Sequence, residues 1–310
     1  MADKQTLMNK TSLWNGILNV NKKAGFTSSD VVTVLRGILH QKKIGHTGTL
    51  DPDAEGVLPV CLGNATRACA FLTDQDKEYR VVMLLGRTTD TEDISGRVIE
   101  ERPVCCSEEQ VREAVTSFLG EYDQIPPMFS AKKVGGRKLY ELAREGRQIE
   151  RKPNRVHIYG IRIEETALPE VAMTVRCSKG TYVRSLCRDI GENLGCGGCM
   201  KELLRTRVGV FLLENSLTLE DIRRLTDEEG LSRVIEPTEH IFSGLPVRMV
   251  GKEAERFLKN GNELLRHNLS ETDEISPGQL YRIYFSDGKF AALYRGTDSF
   301  TLKPERMFLS

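Results

Sequence analysis

The sequence predicts an α+β protein (mixed α/β) with a small β-rich unit at its C-terminal end. Strand-like and helix-like stretches interleave irregularly, without the strict alternation that builds a parallel sheet. Near the end, YRIYFSDGKFAALY (281–294) holds two strand-like runs about Asp287-Gly288, a strong hairpin signal. No internal repeat or low-complexity tract interrupts the pattern.

Taken in chain order, Ser28-Ser29-Asp30 can cap a helix that runs through Val31, Val32, Leu35 and Leu39. EYRVVMLLG (78–86) reads as a buried strand from its Val/Leu run. Ser107 with Gln110 three residues on forms a capping box. The helix behind it carries Val111, Ala114, Val115, Phe118 and Leu119 on one face, and Gly120 ends it. VAMTVRC (171–177) is strand-like, and Ser178-Lys179-Gly180 turns the chain. The next helix has Val183, Leu186, Cys187, Ile190 and Leu194 at helical spacing, which puts Arg184 and Arg188 off its apolar face. SGLPV (243–247) has linker composition and a helix follows at 251–259, so the expected domains are 1–245 and 246–310.

Composition narrows the class. The chain has 310 residues, 39% of them hydrophobic, enough for a large domain and a small one. No apolar run approaches the roughly 20 residues of a membrane span. The opening MADKQTLMNK lacks a signal-peptide core, so a soluble cytoplasmic protein is expected. The 8 cysteines make no framework, which favours reduced thiols. Cys196-Gly-Gly-Cys199 is the one C-x-x-C and has no second pair at zinc-finger spacing, so no metal is expected. Lysine plus arginine equals aspartate plus glutamate at 44 each, but not locally. Residues 130–157 are strongly basic, a footprint for a polyanion or a solvated helix face. Acids dominate between Thr88 and Asp123.

Chemistry concentrates in GHTGTLDPDAEGVLPVCLG (45–63), where His46, Asp51, Asp53 and Glu55 stand among glycines and prolines. A calcium loop fails on the residue at its last ligand position, Leu62. Asp51-Pro52-Asp53 has the spacing of an aspartyl-phosphate hydrolase, but no buried strand precedes it. A tight turn with solvated acids also fits these residues taken alone.

The wider pattern is more specific. GILNVNKKAGFTSSDVV (16–32), the stretch from Gly45 to Arg67, DKEYRVVMLLGRTTDTEDISG (76–96), IPPMFSAKKVGGRKLYELAREG (125–146), CSKGTYVRSLCRDIG (177–191) and LLRTRVGVF (203–211) occur in this order. Together they closely resemble the TruB family of tRNA pseudouridine synthases over about residues 14–245. The tail resembles a PUA RNA-binding domain more weakly. The resemblance implies a pseudouridine synthase fold: a central mixed, largely antiparallel sheet flanked by helices, plus a β-rich PUA-like domain. It implies that the chain turns a T-loop uridine of tRNA, at tRNA position 55, into pseudouridine without cofactor or metal.

Residue by residue, Asp51 matches the family's nucleophile, Arg184 the arginine paired with it, and Tyr79 the tyrosine that stacks on the uracil. Tyr182 and Leu203 match further base-pocket positions, and His46 the histidine that fills the opened T loop. Lys132, Lys133, Arg137 and Lys138 fall in an insertion, about 124–152, that closes over the RNA, with Gly135 and Gly136 leaving it flexible. Asp53 falls at a variable position. The expected partner is the tRNA T stem-loop; no membrane and no obligate protein partner are expected, and the chain should be a monomer. Two departures stand out. Asn21-Lys22-Lys23 replaces the family's usual Asp-Lys-Pro, and Glu55 stands where Thr is frequent. An RNA-binding protein without catalysis and a magnesium-dependent phosphohydrolase remain the competing classes. A related group acts on guide-selected sites in ribosomal RNA, but the absence of long basic tails favours a stand-alone tRNA enzyme.

Overall fold

The structure, a computed structural model, describes residues 14–271 and 273–309. The opening MADKQTLMNK lies outside the described residues. Strand β1 (Gly16–Lys22) leads into α1 (Ser28–Leu39), β2 (Ile44–His46) and β3 (Glu55–Leu62). After a short 3-10 turn come α2 (Cys69–Thr73), β4 (Lys77–Leu85) and the small hairpin β5 (Arg87–Thr89) with β6 (Val98–Glu101). Then follow α3 (Glu108–Thr116), β7 (Gly120–Gln124), a second small hairpin β8 (Lys133–Val134) and β9 (Arg137–Lys138), and α4 (Leu139–Arg144). The body closes with β10 (Asn154–Ala167), β11 (Glu170–Cys177), α5 (Val183–Asn193), β12 (Gly198–Val208), β13 (Phe211–Leu212) and α6 (Leu219–Asp227).

These strands make one sheet in the order β1-β3-β12-β4-β11-β10-β7, with β2 added to β3 and β13 to β12. Only β12 and β3 run parallel, so the sheet is mixed and largely antiparallel. The helices α3 and α5 cover β4 and β11, packing Val115, Leu186 and Ile190 onto Val81, Met83 and Met173. The α1 and α6 helices pack Val31, Leu35 and Ile222 against Leu18, Val20 and Val60 of β1 and β3. Each such side chain contributes about 1.5–3 kcal/mol relative to exposure.

Local details differ from the sequence-based expectations. Thr27, not Ser28-Ser29-Asp30, caps α1, and Asp30 completes a capping box with it. Ser28 is the first helical residue and is buried. In β4 burial alternates along the strand, because only one face meets α3 and α5: Lys77, Tyr79, Val81, Met83 and Leu85 point inward. The α3 helix stops at Thr116, and Gly120 at φ 91° opens β7, leaving Leu119 exposed. Arg184 is off the apolar face of α5 yet is buried, because the segment 91–93 and the insertion cover it.

The C-terminal unit has a five-stranded sheet in the order β14-β16-β17-β18-β15. Its elements are β14 (Val247–Met249), α7 (Glu255–Lys259), β15 (Leu264–Leu265), β16 (Leu280–Tyr284), β17 (Phe290–Gly296) and β18 (Thr301–Met307). The expected helix at 251–259 is a 3-10 turn followed by the short α7. The join at 243–247 is gripped rather than loose. Arg282 donates to the carbonyls of Leu245 and Ser243 at 3.0 and 3.2 Å. Phe242 of the body meets Phe290 and Phe308 of the tail in tilted ring contacts and takes Phe71 edge-on. Among the described residues no helix is long and apolar enough to cross a membrane.

Candidate active site

The loop between β2 and β3 carries Asp51, and it is held from several sides. The Ser28 hydroxyl accepts from Leu50 N at 3.0 Å, joining the loop to the start of α1. The buried Lys22 ammonium donates to the carbonyls of Pro52, Phe26 and Lys23 at 2.9, 2.7 and 3.0 Å. Glu55 accepts from Ala24 N at 3.3 Å, and Lys23 pairs with Glu220 at 3.0 Å. Gly56, at φ 103°, lets β3 approach β12 so closely that a Cβ there would lie 2.2 Å from the Arg205 carbonyl oxygen.

Arg184, at the first turn of α5, meets Asp51 as a fork. Its Nε lies 2.9 Å from Oδ2 and its Nη2 donates to Oδ1 at 3.1 Å. The guanidinium also donates to the carbonyls of Thr91 (2.8 Å) and Phe129 (2.9 Å), and Asp93 approaches to 3.7 Å. The arginine side chain is 5% exposed and the aspartate 36%. Burial pushes the Asp51 carboxyl above its ordinary value, Arg184 opposes that, and Asp93 adds to it. The pair lines a cavity of about 290 Å³. Tyr79, Tyr182 and Leu203 line that cavity with Asp51 and Arg184. Burial raises the Tyr79 and Tyr182 phenols, so both stay neutral at physiological pH.

Comparison with known proteins settles the family. Residues 36–183 match the model of the TruB family pseudouridylate synthase N-terminal domain, and 184–243 that of the tRNA pseudouridylate synthase B C-terminal domain. The chain belongs to the TruB family of pseudouridylate synthases. The tRNA pseudouridine synthase B of Lachnoclostridium phytofermentans is 52% identical over 95% of this chain and 100% of its own length. That of Alkaliphilus oremlandii is 47% identical over 87% of this chain and 89% of its own. Among solved structures, a Cbf5-Nop10-Gar1 complex matches with a TM-score of 0.73 at 29% identity, covering 95% of this chain and 85% of the other. An H/ACA RNP bound to a substrate RNA containing 2'-deoxyuridine gives 0.72 at 27%, with the same coverage.

The remaining residues singled out in this TruB-family sequence are less concentrated. His46 ends β2, outside the lining of the Asp51 cavity; its Nδ1 is buried without a partner, and burial lowers its pKa. Asp53 is exposed and is absent from that lining; it lines a second cavity, of about 560 Å³, that shares Asp51, Arg184 and Leu203 with the first. Gly135 and Gly136, both at positive φ, form the tip of the hairpin β8–β9. Lys133 on that hairpin is exposed. Lys132 is half-buried, its ammonium held by Asn154 Oδ1 and the Lys152 carbonyl. Among the described residues no three His, Cys, Asp or Glu side chains gather as a metal site would require.

Three contributors had no role assigned from sequence: Thr91 and Asp93 around Arg184, and Arg205 in the cavity wall. Acid content marked the first region only as negative. Arg205 sits within the block LLRTRVGVF, but nothing in its spacing shows burial.

Proposed function

We propose that this chain isomerises uridine to pseudouridine in the T loop of tRNA, at the position expected from its sequence, with Asp51 as nucleophile on an extruded uridine. Relatives named tRNA pseudouridine synthase B, matched over nearly the whole chain, support tRNA as the substrate class. The observation that carries the chemistry is the forked Asp51–Arg184 pair at the mouth of a cavity walled by Tyr79, Tyr182 and Leu203.

The reaction breaks the C1′–N1 bond, turns the uracil, and forms C1′–C5, while a proton leaves C5 and one is gained at N1. Nothing is oxidised and no group is donated. A base held in a duplex or folded loop cannot present its glycosidic bond to a side chain, so it is extruded first. Tyr79 and Tyr182 offer the aromatic walls that receive a splayed base. The cavity lies at the small end of ligand sites, roughly 300–1,000 Å³, which suits a single pyrimidine. Arg184 opposes the burial that raises the Asp51 carboxyl and aims it with a forked contact, which favours the carboxylate as the attacking form. The hairpin β8–β9 and the exposed Lys133 supply phosphate contacts that position the RNA without reading its sequence. The PUA-like tail, packed on Phe71 of α2 and on Phe242, extends the grip along the RNA. The enzyme acts alone as a monomer.

The test is pseudouridine formation in an unmodified tRNA transcript, mapped to the nucleotide. The wild-type chain modifies the T-loop uridine. Asp51→Asn binds the transcript and gives no turnover, and Asp53→Asn stays within about tenfold of wild type, a barrier change below about 1.4 kcal/mol. Turnover by a clean Asp51→Asn protein defeats the assignment, and equal loss in both variants points back to a two-aspartate mechanism.

A further inference from the structure

Arg205 is a fully buried cation that no step so far uses. It is 2% exposed and lines the same cavity as Asp51. In the sheet it is the direct cross-strand neighbour of Tyr79, beside a bulge in β12 between Arg205 and Arg207. Bulges of this kind re-aim a side chain next to an active site. Its Nε donates to the Val57 carbonyl at 2.7 Å and its Nη2 to the Gly48 carbonyl at 3.3 Å. Lys77 lies two residues before Tyr79 on the same inward face of β4, is 7% exposed, and lines the cavity too. Its ammonium donates to the carbonyls of Thr73 (2.6 Å) and Gln75 (2.5 Å).

Neither cation forms an ion pair among the described residues. The nearby acids are committed elsewhere: Asp74 pairs with Lys179 at 2.9 Å and Asp76 faces Arg176 at 4.0 Å. Burial, and then the neighbouring Arg205, pushes the Lys77 ammonium down to about 8. Elsewhere in the lining Arg184 is matched by Asp51, with Asp93 beside it at 3.7 Å. The cavity is thus polarised, with uncompensated positive charge on the Tyr79 side. Two buried cations without a carboxylate are costly, and such an arrangement persists where an anion arrives.

We propose that Arg205, reinforced by Lys77, stabilises the negative charge that the uracil ring carries when its glycosidic bond breaks. This rests on the reading of the cavity as the base site. When C1′–N1 breaks, the bonding pair goes to N1 and spreads onto the ring carbonyl oxygens. The sugar carbon is captured by the Asp51 carboxylate, or is relieved by loss of the C2′ proton. When C5 then bonds to C1′, the C1′–O bond to Asp51 breaks, or the C2′ proton returns; the ring gives up the C5 proton and N1 regains one, so the charge is transient. Preorganised donors aimed at developing charge are worth most in such a water-poor site. Arg205 also fixes the loop through Gly48, so its test must separate charge stabilisation from positioning.

The test compares uridine with 5-fluorouridine at the target position of a T-stem hairpin, under single turnover at saturating protein, following loss of the starting nucleoside. Fluorine makes the uracil anion easier to form, so it relieves a defect in charge stabilisation and leaves a positioning defect untouched. Arg205→Met is expected to slow uridine consumption about 100-fold, the lower range for removing one preorganised donor. On 5-fluorouridine its deficit against wild type falls to about tenfold, and Arg205→Lys recovers part of the loss on uridine. Equal deficits of Arg205→Met on the two substrates overturn the proposal. If Arg205→Met fails to fold, Lys77→Met is read on the same two substrates with the same expected ordering, and equal deficits there overturn it as well. A wild-type protein that consumes neither nucleoside defeats the functional reading instead, so the two failures are distinct.

Discussion

Replacing Arg184 by lysine keeps the charge and removes the fork, and the structure says what that costs. Four acceptors surround the guanidinium: both Asp51 oxygens and the carbonyls of Thr91 and Phe129, at 2.8–3.1 Å. A lysine ammonium carries three protons on one nitrogen and cannot reach all of these directions. One charge-assisted bond to the carboxylate is lost, worth about 1.5–3 kcal/mol, and one buried carbonyl is orphaned at about 1–3 kcal/mol. Asp51 is 36% exposed, so solvent screens part of this and the lower half of the range applies. A loss of about 3–4 kcal/mol is two to three orders of magnitude in rate. The assay is single-turnover pseudouridine formation on the hairpin at saturating protein, with binding measured separately.

The pH profile gives a second reading of the same substitution. Burial raises the Asp51 carboxyl and Arg184 opposes that rise. With the carboxylate as the proposed nucleophile, the rate is expected to fall as pH drops through this raised value. In Arg184→Met the opposing charge is gone, so the acid limb moves to higher pH. For stability the sign is opposite: a carboxyl with a raised folded pKa destabilises the fold above its unfolded value and ceases to do so at lower pH. Arg184→Lys within tenfold of wild type, together with an unmoved acid limb in Arg184→Met, would show that the pair does not govern the chemistry.

Two further outcomes are expected. Neutralising Lys132 and Lys133 together flattens the salt dependence of RNA binding by about 0.7–0.9, the value for one phosphate contact, since Lys132 is engaged within the insertion; the modified uridine is unchanged, and an unaltered slope removes this hairpin from the RNA interface. Phe242→Ala, which empties the aromatic contact between body and tail, costs about 3–5 kcal/mol and lowers the thermal midpoint by roughly 10 °C; an unchanged midpoint would mean that the tail is not seated on α2.

Much of the fold was legible because its signals are local. The capping box at Ser107 and Gln110, the strand over the Val/Leu run of β4 and the Asp287-Gly288 turn each follow from a few adjacent residues. The site was legible only as far as motifs reached. Asp51 and Arg184 lie 133 positions apart, and no periodicity joins them. Helical spacing placed Arg184 off the apolar face, which says nothing of a further layer covering it. In the same way the acid-rich stretch after Thr88 reads as surface, yet Glu92 turns inward to Arg188 and Asp93 to Arg184. Charge composition has no direction, and only the chain's return over α5 supplies one. Arg205 is the extreme case, since alternation along β12 is broken by the bulge beside it.

The two departures from the family pattern show where the precision of Asp51 comes from. A proline at position 23 would stiffen the turn after β1 by fixing one backbone angle. Here Lys23 instead leaves the turn to be held from outside: by the Lys22 ammonium on three carbonyls, by Glu55 on Ala24 N, and by Gly25 N donating to the Pro52 carbonyl at 3.0 Å. The same contacts run the other way, tying the Asp51 loop to β1. Ser28 adds α1, and Arg205 adds β12. The carboxylate is therefore located by three elements of the body rather than by the stiffness of its own Gly- and Pro-rich loop. The extra acid at Glu55 belongs to this scaffold. Its carboxylate meets a backbone N–H of the turn, and so it can stand near a polyanion's site without taking the place of Asp51 opposite Arg184.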